Sequence, residues 1–188
     1  VTPDARQVVA SMAAAPSIRV LGHVRDTAAV YQEASAFICP SLEEGSALVT
    51  YEAMACGLPL IFTYNSGAVA RDGLEGIQVP IRDVEATAAA IERLYRDAQL
   101  RREMGRAGRQ RAQDYTWEAA AERFIGAYEE ALNAGADEIL VITISGAMSG
   151  TIESARAAAE GFRAPVKVLD SKSNSMSLCL LYTSPSPR

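Results

Sequence analysis

The stretch AFICPSLEEGSALVTYEAMACGLPLIFT, residues 36–63, contains two buried strands and the helix that joins them. Residues 36–39 and 60–62 are continuously apolar, Thr63 continues the second run, and Pro40 ends the first. Residues 47–56 have the composition of a helix and are followed by a glycine, which is common just past a helix end. A helix between two fully apolar strands indicates a parallel sheet that is covered by helices on both faces.

The same alternation continues on both sides of this stretch. We expect further strands at 18–21, 76–80, 139–144 and 166–169, and helices at 4–14, 26–34, 83–97, 99–113, 116–132 and 149–160. The sequence therefore predicts an α/β fold, in which ligands bind at the carboxyl ends of the strands. The turns at 40–47, 63–73 and 144–151 occupy such positions.

Composition narrows the class of protein. The chain has 188 residues, a net charge of −5 and 49% hydrophobic residues, which is typical of a globular protein. It has no run of about 20 apolar residues, so we expect no transmembrane span, and its acidity argues against nucleic-acid binding. Cys39, Cys56 and Cys179 form no C-x-x-C pair, so we expect no zinc or redox site at these residues, and their pattern suits a reducing, cytoplasmic location.

The turn before the helix at 47–56 has the features of an anion site. Gly45 lets the backbone turn sharply, and the amides of residues 46–49 are the free donors of a helix start, which suit a diphosphate. Glu44 and Glu52 lie eight residues apart, and their carboxylates could accept hydrogen bonds from hydroxyls on either side of the phosphates. On spacing alone the simpler alternative is favoured, in which Glu44 caps the helix and Glu52 is a solvated surface residue.

Several motifs together resemble the retaining glycosyltransferases of family 4, which have the GT-B fold. Besides the Glu-x7-Glu pair, they are IRVLGHV at 18–24, PS at 40–41, EAMACGLP at 52–59, NSG at 65–67, DGLEG at 72–76, VP at 79–80, MGRAGR at 104–109 and YTW at 115–117. The resemblance covers about residues 1–132. It implies the Rossmann-like, nucleotide-sugar-binding C-terminal domain of a GT-B enzyme. It also implies that no metal and no cofactor take part, the nucleotide sugar being a substrate.

The resemblance also implies roles for individual residues. The donor-binding set would be Glu44, Gly45, Ser46, Ala47, Leu48, Val49 and Glu52. Glu44, the catalytic residue of the set, would contact hydroxyls of the donor sugar, the amides of 46–49 would hold the diphosphate, and Glu52 would bind the ribose. The family often has Phe and Gly where Ser46 and Ala47 stand. Its diphosphate-neutralising cations and its acceptor domain normally lie upstream of such a segment, so we expect this chain alone to be an inactive hexosyltransferase fragment.

A second candidate turn lies in ILVITISGAMSGTIESA, residues 139–155. Ser145, Ser149 and Thr151 supply hydroxyls there, and the following helix supplies free amides, a combination that suits a carboxylate or a phosphate. The local alternative, which is favoured without further information, is that Ser149 is only a helix N-cap.

This second region resembles the fatty-acid-binding DegV family, whose corresponding run is Thr-Ile-Ser-Ser-x-x-Ser-Gly-Thr. The likeness covers about residues 124–178 and continues through VKVLDSKS at 166–173. It implies that Ser145 or Ser149, beside Thr151, holds the carboxylate of a fatty acid. Gly146 replaces the usual second serine.

The two resemblances divide the chain. We expect a donor-binding domain at 1–132, a partial β-α-β segment at 133–178, and a disordered tail at 179–188 that resembles translated sequencing adapter. The β-α-β segment is expected to pack on the edge of the first sheet or to remain loosely ordered. The alternatives for function are thus a glycosyltransferase fragment that binds its nucleotide-sugar donor for an unspecified acceptor, a fatty-acid-binding module, or a chimeric product without function.

Two residues outside these turns also have candidate roles. We interpret His23, at the end of the strand expected at 18–21, as a hydrogen-bonded structural histidine rather than a base. Trp117 is interpreted as a core anchor, and the arginine-rich helix at 101–111 as a solvated face.

Overall fold

A computed structural model describes residues 3–147 and 149–173. Its helices are α1 Pro3–Ala13, α2 Thr27–Glu33, α3 Leu48–Ala55, α4 Val84–Arg96, α5 Ala98–Ala112, α6 Trp117–Asn133 and α7 Thr151–Ala159, and its strands are β1 Phe37–Cys39, β2 Leu60–Thr63, β3 Gly76–Val79, β4 Ile139–Thr143 and β5 Val166–Asp170. The chain divides after Arg109 into two compact units.

The first unit is built on a three-stranded parallel sheet in the order β1-β2-β3. Phe37 of β1 is in register with Leu60 of β2, which is in register with Gly76 of β3. Helix α3 packs on β1 and β2, and helix α4 packs on β2 and β3. The predicted α/β fold with parallel strands is thereby confirmed, and the carboxyl ends of the three strands lie along one edge of the sheet.

A compact apolar cluster holds α4 and α5 against this sheet. Its most buried members, at most 4% exposed, are Ile61, Val79, Ala90, Leu94 and Met104. All four residues of β2 are buried, which explains why the first three of them are apolar. Full burial of a large apolar side chain contributes about 1.5–3 kcal/mol, so this cluster stabilises the sheet that carries the turns.

The predicted helix starts are confirmed where a polar side chain caps the helix. Asp26, Asp83 and Thr116 each accept a hydrogen bond from the amide three residues later, at 3.2, 2.8 and 3.2 Å. Such caps are set by local sequence, because donor and acceptor are only three residues apart.

The second unit contains a parallel β4–β5 pair joined through α7. Helix α6 packs against α7, where the Tyr128 hydroxyl donates to the Ala155 carbonyl at 3.1 Å and the Tyr128 ring meets Phe162 edge-on. The predicted β-α-β segment is therefore present. In the described part of the chain β4 and β5 pair only with each other, so they do not extend the edge of the first sheet.

Three expectations are wrong. Residues 18–21 form no strand, because a strand needs a neighbour for its backbone hydrogen bonds and none of the described strands pairs with them. His23 is exposed, not packed, and follows this irregular segment. Trp117 is 54% exposed, because it is the first residue of α6 and only one part of its ring is covered, by the backbone at Gly150.

The cysteines that fall within the described residues are free thiols. Cys39 is buried at the end of β1, and Cys56 is half-buried at the end of α3. Cys179 and the predicted tail at 179–188 lie outside the described residues. No helix among the described residues is long and apolar enough to cross a membrane.

Candidate functional site

The first candidate turn connects β1 to α3 and is held by the turn that follows β2. Because β1 and β2 are parallel neighbours, the loops that leave their carboxyl ends start side by side. Thr63 donates from its hydroxyl to the Ser41 carbonyl at 2.6 Å, and the Asn65 side-chain amide donates to the Leu42 carbonyl at 2.8 Å. The 41–47 loop is thus fixed by a neighbouring element of the sheet.

Two backbone hydrogen bonds continue this contact up to the start of α3. The Glu44 amide donates to the Asn65 carbonyl at 2.8 Å, and the Ala47 amide donates to the Ser66 carbonyl at 3.1 Å. Ser66 is itself fully buried, and its hydroxyl donates to the Thr63 carbonyl at 2.7 Å. The sequence motif at 65–67 therefore acts as a support for the loop, a role that its composition alone does not reveal.

The start of α3 offers backbone donors to an anion. Its N-cap is Ala47, which has no capping side chain, and its first turn contains no acidic residue. The first-turn amides of a helix lack carbonyl partners within the helix, and the helix dipole places partial positive charge there. Of the predicted donors at 46–49, the Ala47 amide is used within the protein, so an anion at this helix start would bind through its neighbours.

Glu44 lies in the middle of this loop with its side chain in solvent. Its backbone amide is held by Asn65, but its carboxylate does not cap α3, since no side-chain cap hydrogen bond is present at the helix start. The simpler alternative for Glu44 is therefore wrong. An exposed carboxylate on a backbone held at this position can accept hydrogen bonds from ligand hydroxyls.

Glu52 is exposed on α3, one and a half turns beyond the loop, but it is not a free surface residue. The hydroxyl of Tyr31 on α2 donates to Glu52 Oε2 at 2.9 Å. Burial, and then the hydrogen bond to Glu52, raise the pKa of Tyr31 to about 12. Sequence reasoning missed Tyr31 because 21 residues separate it from Glu52 and no local pattern joins them.

An ion pair with a buried glutamate shapes the turn before β3. Glu75 is fully buried, accepts the backbone amide of Arg71 at 2.8 Å, and receives two nitrogens of the Arg71 guanidinium. The Glu75 carbonyl accepts the Leu60 amide at 3.2 Å, which joins this turn to β2. The acidic residue of the motif at 72–76 therefore has a structural role.

The second candidate turn, in the other unit, brings its predicted hydroxyls together. The hydroxyls of Ser149 and Thr151 are 2.7 Å apart, and the Ser149 amide donates to the Ser145 carbonyl at 3.1 Å. The N-cap of α7 is Gly150 and makes no side-chain cap hydrogen bond, so the prediction that Ser149 is the N-cap is wrong. Instead, the Ser149 hydroxyl accepts the Thr151 amide.

A carboxylate of the protein already occupies part of this second turn. Asp170, at the end of β5, accepts the Gly146 amide through Oδ2 at 3.3 Å and the Lys172 amide through Oδ1 at 2.8 Å. A Cβ atom at Gly146 would lie 3.0 Å from Ile152 and 3.3 Å from Asp170 Oδ2, so a serine there would need its neighbours to shift. Sequence reasoning missed Asp170, which lies 24 residues from Gly146.

Comparison with known families decides the affiliation of the first unit. Residues 2–97, half of the chain, match the profile of the family described as "Glycosyl transferases group 1". The chain belongs to the group 1 glycosyl transferases. The match contains the loop at 41–47, its supporting turn and both glutamates, so the predicted family is confirmed.

Relatives within the group 1 glycosyl transferases are longer than this chain. A D-inositol 3-phosphate glycosyltransferase of Paenarthrobacter aurescens is 35% identical over 111 residues, which are 57% of this chain and 27% of that protein. The D-inositol 3-phosphate glycosyltransferase of Geodermatophilus obscurus is 35% identical over 130 residues, which are 66% of this chain and 28% of that protein. The chain thus spans about a quarter of the length of these curated relatives.

A solved structure and a second family profile extend the comparison. The sucrose-phosphate synthase of Thermosynechococcus elongatus has a TM-score of 0.60 and 31% identity, over 70% of this chain and 34% of that one. Residues 92–184 match the profile of the DegV family, described as an uncharacterised protein family. The predicted resemblance to DegV is confirmed for the C-terminal part, and the two profile matches overlap at 92–97.

Proposed function

We propose that the first unit binds the nucleoside diphosphate sugar that serves as donor for a retaining glycosyltransferase. The observation that carries this proposal is the placement of Glu44, the α3 start and Glu52 in succession on one loop and helix, held by the 63–67 turn. In this proposal the catalytic residue, Glu44, accepts hydrogen bonds from the donor sugar, the helix-start amides bind the diphosphate, and Glu52 accepts from the ribose hydroxyls.

The chemistry of each group agrees with this assignment. Phosphate oxygens suit the partial positive charge of a helix start that carries no acidic side chain. Ionised carboxylates only accept hydrogen bonds, so Glu44 and Glu52 suit hydroxyl groups, which a nucleotide sugar has on both sides of its diphosphate. Because the chain spans about a quarter of its relatives, we expect the 188-residue polypeptide to bind a donor without transferring its sugar.

Calorimetric titration with uridine, guanosine and adenosine diphosphates tests the proposal. We expect one of them to bind and the Glu52→Gln variant to bind it about tenfold more weakly, since hydrogen bonds to a charged group contribute about 1.5–3 kcal/mol. Glu85→Gln, an exposed glutamate in the first turn of α4, is the matched control. If the wild-type polypeptide binds none of the three nucleotides, the proposal is wrong.

A second candidate function is favoured by the profile match at 92–184. We propose as the alternative that Ser145, Ser149 and Thr151 bind the carboxylate of a fatty acid. The close pair of hydroxyls at Ser149 and Thr151 supports this reading, because one hydroxyl donates to the other and the remaining hydroxyl hydrogen can donate to a carboxylate. Titration with oleate, with Ser149→Ala as the variant, tests it: binding lost in the variant supports the alternative, and no binding by the wild type contradicts it.

A further inference from the structure

We propose that Tyr31 is the positioning residue for the ribose-binding carboxylate, so that its hydroxyl governs how well the site distinguishes ribonucleotides from their deoxy forms. This inference rests on the proposed donor site and adds a residue from α2 to a set that otherwise lies on the 44–52 segment. Tyr31 does not touch the ligand in this proposal. It acts through the orientation of Glu52.

The first step of the argument is that Tyr31 is itself fixed. It is 8% exposed, although it lies on a helix of seven residues whose other members are largely at the surface. Its ring packs edge-on against Phe37 of β1, with ring centroids 5.7 Å apart and planes at 74°. A buried aromatic ring with such a neighbour has little rotational freedom, so its hydroxyl is a donor at a fixed position.

The second step is that Glu52 needs such a donor. A glutamate on an exposed helix face has three rotatable bonds, and ordering it costs conformational entropy. The Tyr31 hydrogen bond to Oε2, at 2.9 Å, restricts those rotations before a ligand arrives. Among the described residues Glu52 Oε1 has no protein partner, so one oxygen of a pre-oriented carboxylate is left to accept from a hydroxyl.

The third step concerns protonation. Because burial and the neighbouring carboxylate raise the pKa of Tyr31 to about 12, the phenol keeps its proton at physiological pH. The phenol can therefore only act as the donor in this pair, and Glu52 as the acceptor. The arrangement leaves the charge of Glu52 in place for the ligand, and charge-assisted hydrogen bonds are about twice as strong as neutral ones.

The test compares ribonucleotides with their 2′,3′-dideoxy counterparts. The full chain and its Tyr31→Phe variant are titrated with the nucleoside diphosphate that binds the wild type, and with the dideoxy form of the same nucleotide. We expect the variant to lose about fivefold in affinity for the ribonucleotide and less than about twofold for the dideoxy form. If the hydroxyl had a purely structural role, the variant would lose affinity for both ligands equally.

Two further variants complete the experiment. Tyr95→Phe removes the hydroxyl of an 82% exposed tyrosine in the same unit and is expected to change neither affinity. In a Glu52→Ala background, Tyr31→Phe is expected to add less than about twofold, because the Tyr31 hydroxyl then has no acceptor at position 52 to orient. If Tyr31→Phe lost the same affinity for both ligands, or lost affinity for neither, the inference about Tyr31 would be overturned and the proposed donor site would stand. A wild type that binds no nucleotide overturns both.

Discussion

Gly67 and Gly45 approach each other so closely that a Cβ atom on Gly67 would lie 2.3 Å from the Gly45 carbonyl oxygen. Gly67 also has a left-handed backbone, with φ of 62°. Both requirements select glycine, since a side chain would be strained by the backbone and excluded by the neighbour. The contact joins the turn after β2 to the loop after β1, so the geometry of the candidate donor site depends on a residue outside it.

The first prediction follows from this contact. Gly67→Ala is expected to destabilise the first unit by about 2 kcal/mol or more, and to weaken nucleotide binding because the 44–47 loop must move. Gly73→Ala is the matched control: Gly73 has a similar φ of 74° but open space around its Cβ position, so only about 1 kcal/mol is expected. Urea unfolding, followed through amide signals of β2, measures both. Equal effects of the two substitutions would contradict the role of the contact.

The second prediction separates the roles of the two glutamates. Glu44→Gln is expected to reduce the affinity for a nucleotide sugar about tenfold and to leave the affinity for the free nucleoside diphosphate unchanged, since Glu44 is proposed to contact only the sugar. Glu52→Gln is expected to reduce the affinity for both the nucleotide sugar and the free nucleoside diphosphate. Glu43→Gln, the exposed neighbour in the same loop, controls for the change in local charge. A loss of diphosphate binding in Glu44→Gln would argue against the assignment.

The third prediction compares two Arg–Glu pairs of the same spacing. Arg71 and Glu75 form an i, i+4 pair whose glutamate side chain is 1% exposed, whereas Arg96 and Glu92 form an i, i+4 pair at the surface. Arg71→Ala is expected to destabilise the first unit by about 3 kcal/mol, because it leaves a buried carboxylate without its cation. Arg96→Ala is expected to cost less than about 1 kcal/mol. Thermal unfolding of the two variants would show no difference if burial of the glutamate were unimportant.

The fourth prediction concerns pH. The pKa of Tyr31 is raised to about 12 in the folded state, from about 10 in an unfolded chain, so the neutral phenol stabilises the fold. This contribution is complete below about pH 10 and is lost as the pH rises toward 12. Stability should therefore fall less steeply across this interval in Tyr31→Phe than in the wild type. Tyr95→Phe should retain the wild-type slope, and identical slopes for Tyr31→Phe and the wild type would contradict the raised pKa.

The fifth prediction concerns the second unit. If a fatty acid binds at the 145–151 turn, the Asp170 carboxylate opposes it, because it already accepts the Gly146 amide and has the same charge as the ligand. Asp170→Asn is then expected to raise the affinity for oleate at least about fivefold. Asp137→Asn, at an exposed position, should have no effect. A lower affinity in Asp170→Asn would mean that the carboxylate supports the turn more than it opposes the ligand.

Local signals explain which parts of the fold were predicted. The caps at Asp26, Asp83 and Thr116 join atoms three residues apart, and the first three residues of β2 are apolar because the whole strand is buried. Residues 18–21 are apolar apart from Arg19 and were also predicted as a strand, yet no strand formed, because a strand also requires a partner. The expectation that Trp117 is a core anchor was wrong for a related reason. Residue type predicts burial only on average, and a helix start can leave a large ring exposed.

The candidate sites were likewise predicted in part: their positions were, and the partners of their side chains were not. The residue types and spacing of Glu44, Gly45 and Glu52, and of Ser145 and Ser149, located both turns correctly as the loops that follow strands. Their partners could not be predicted, since the contacts from Tyr31 to Glu52 and from Asn65 to Leu42 span 21 and 23 residues. Nothing in the composition of either segment marks it as the partner of the other.

The sequence by itself determined the glycosyl transferase affiliation, the order of helices and strands apart from the strand wrongly expected at 18–21, and the place of both turns. These depend on motifs and on contacts within a few residues. Only the tertiary structure decided that Ser66 takes the Ala47 amide, that Tyr31 holds Glu52 and that Asp170 enters the second turn. The physical reason is that parallel pairing brings loops from distant parts of the chain to one edge of a sheet. Which groups then meet depends on register and packing, and neither can be read from one segment alone.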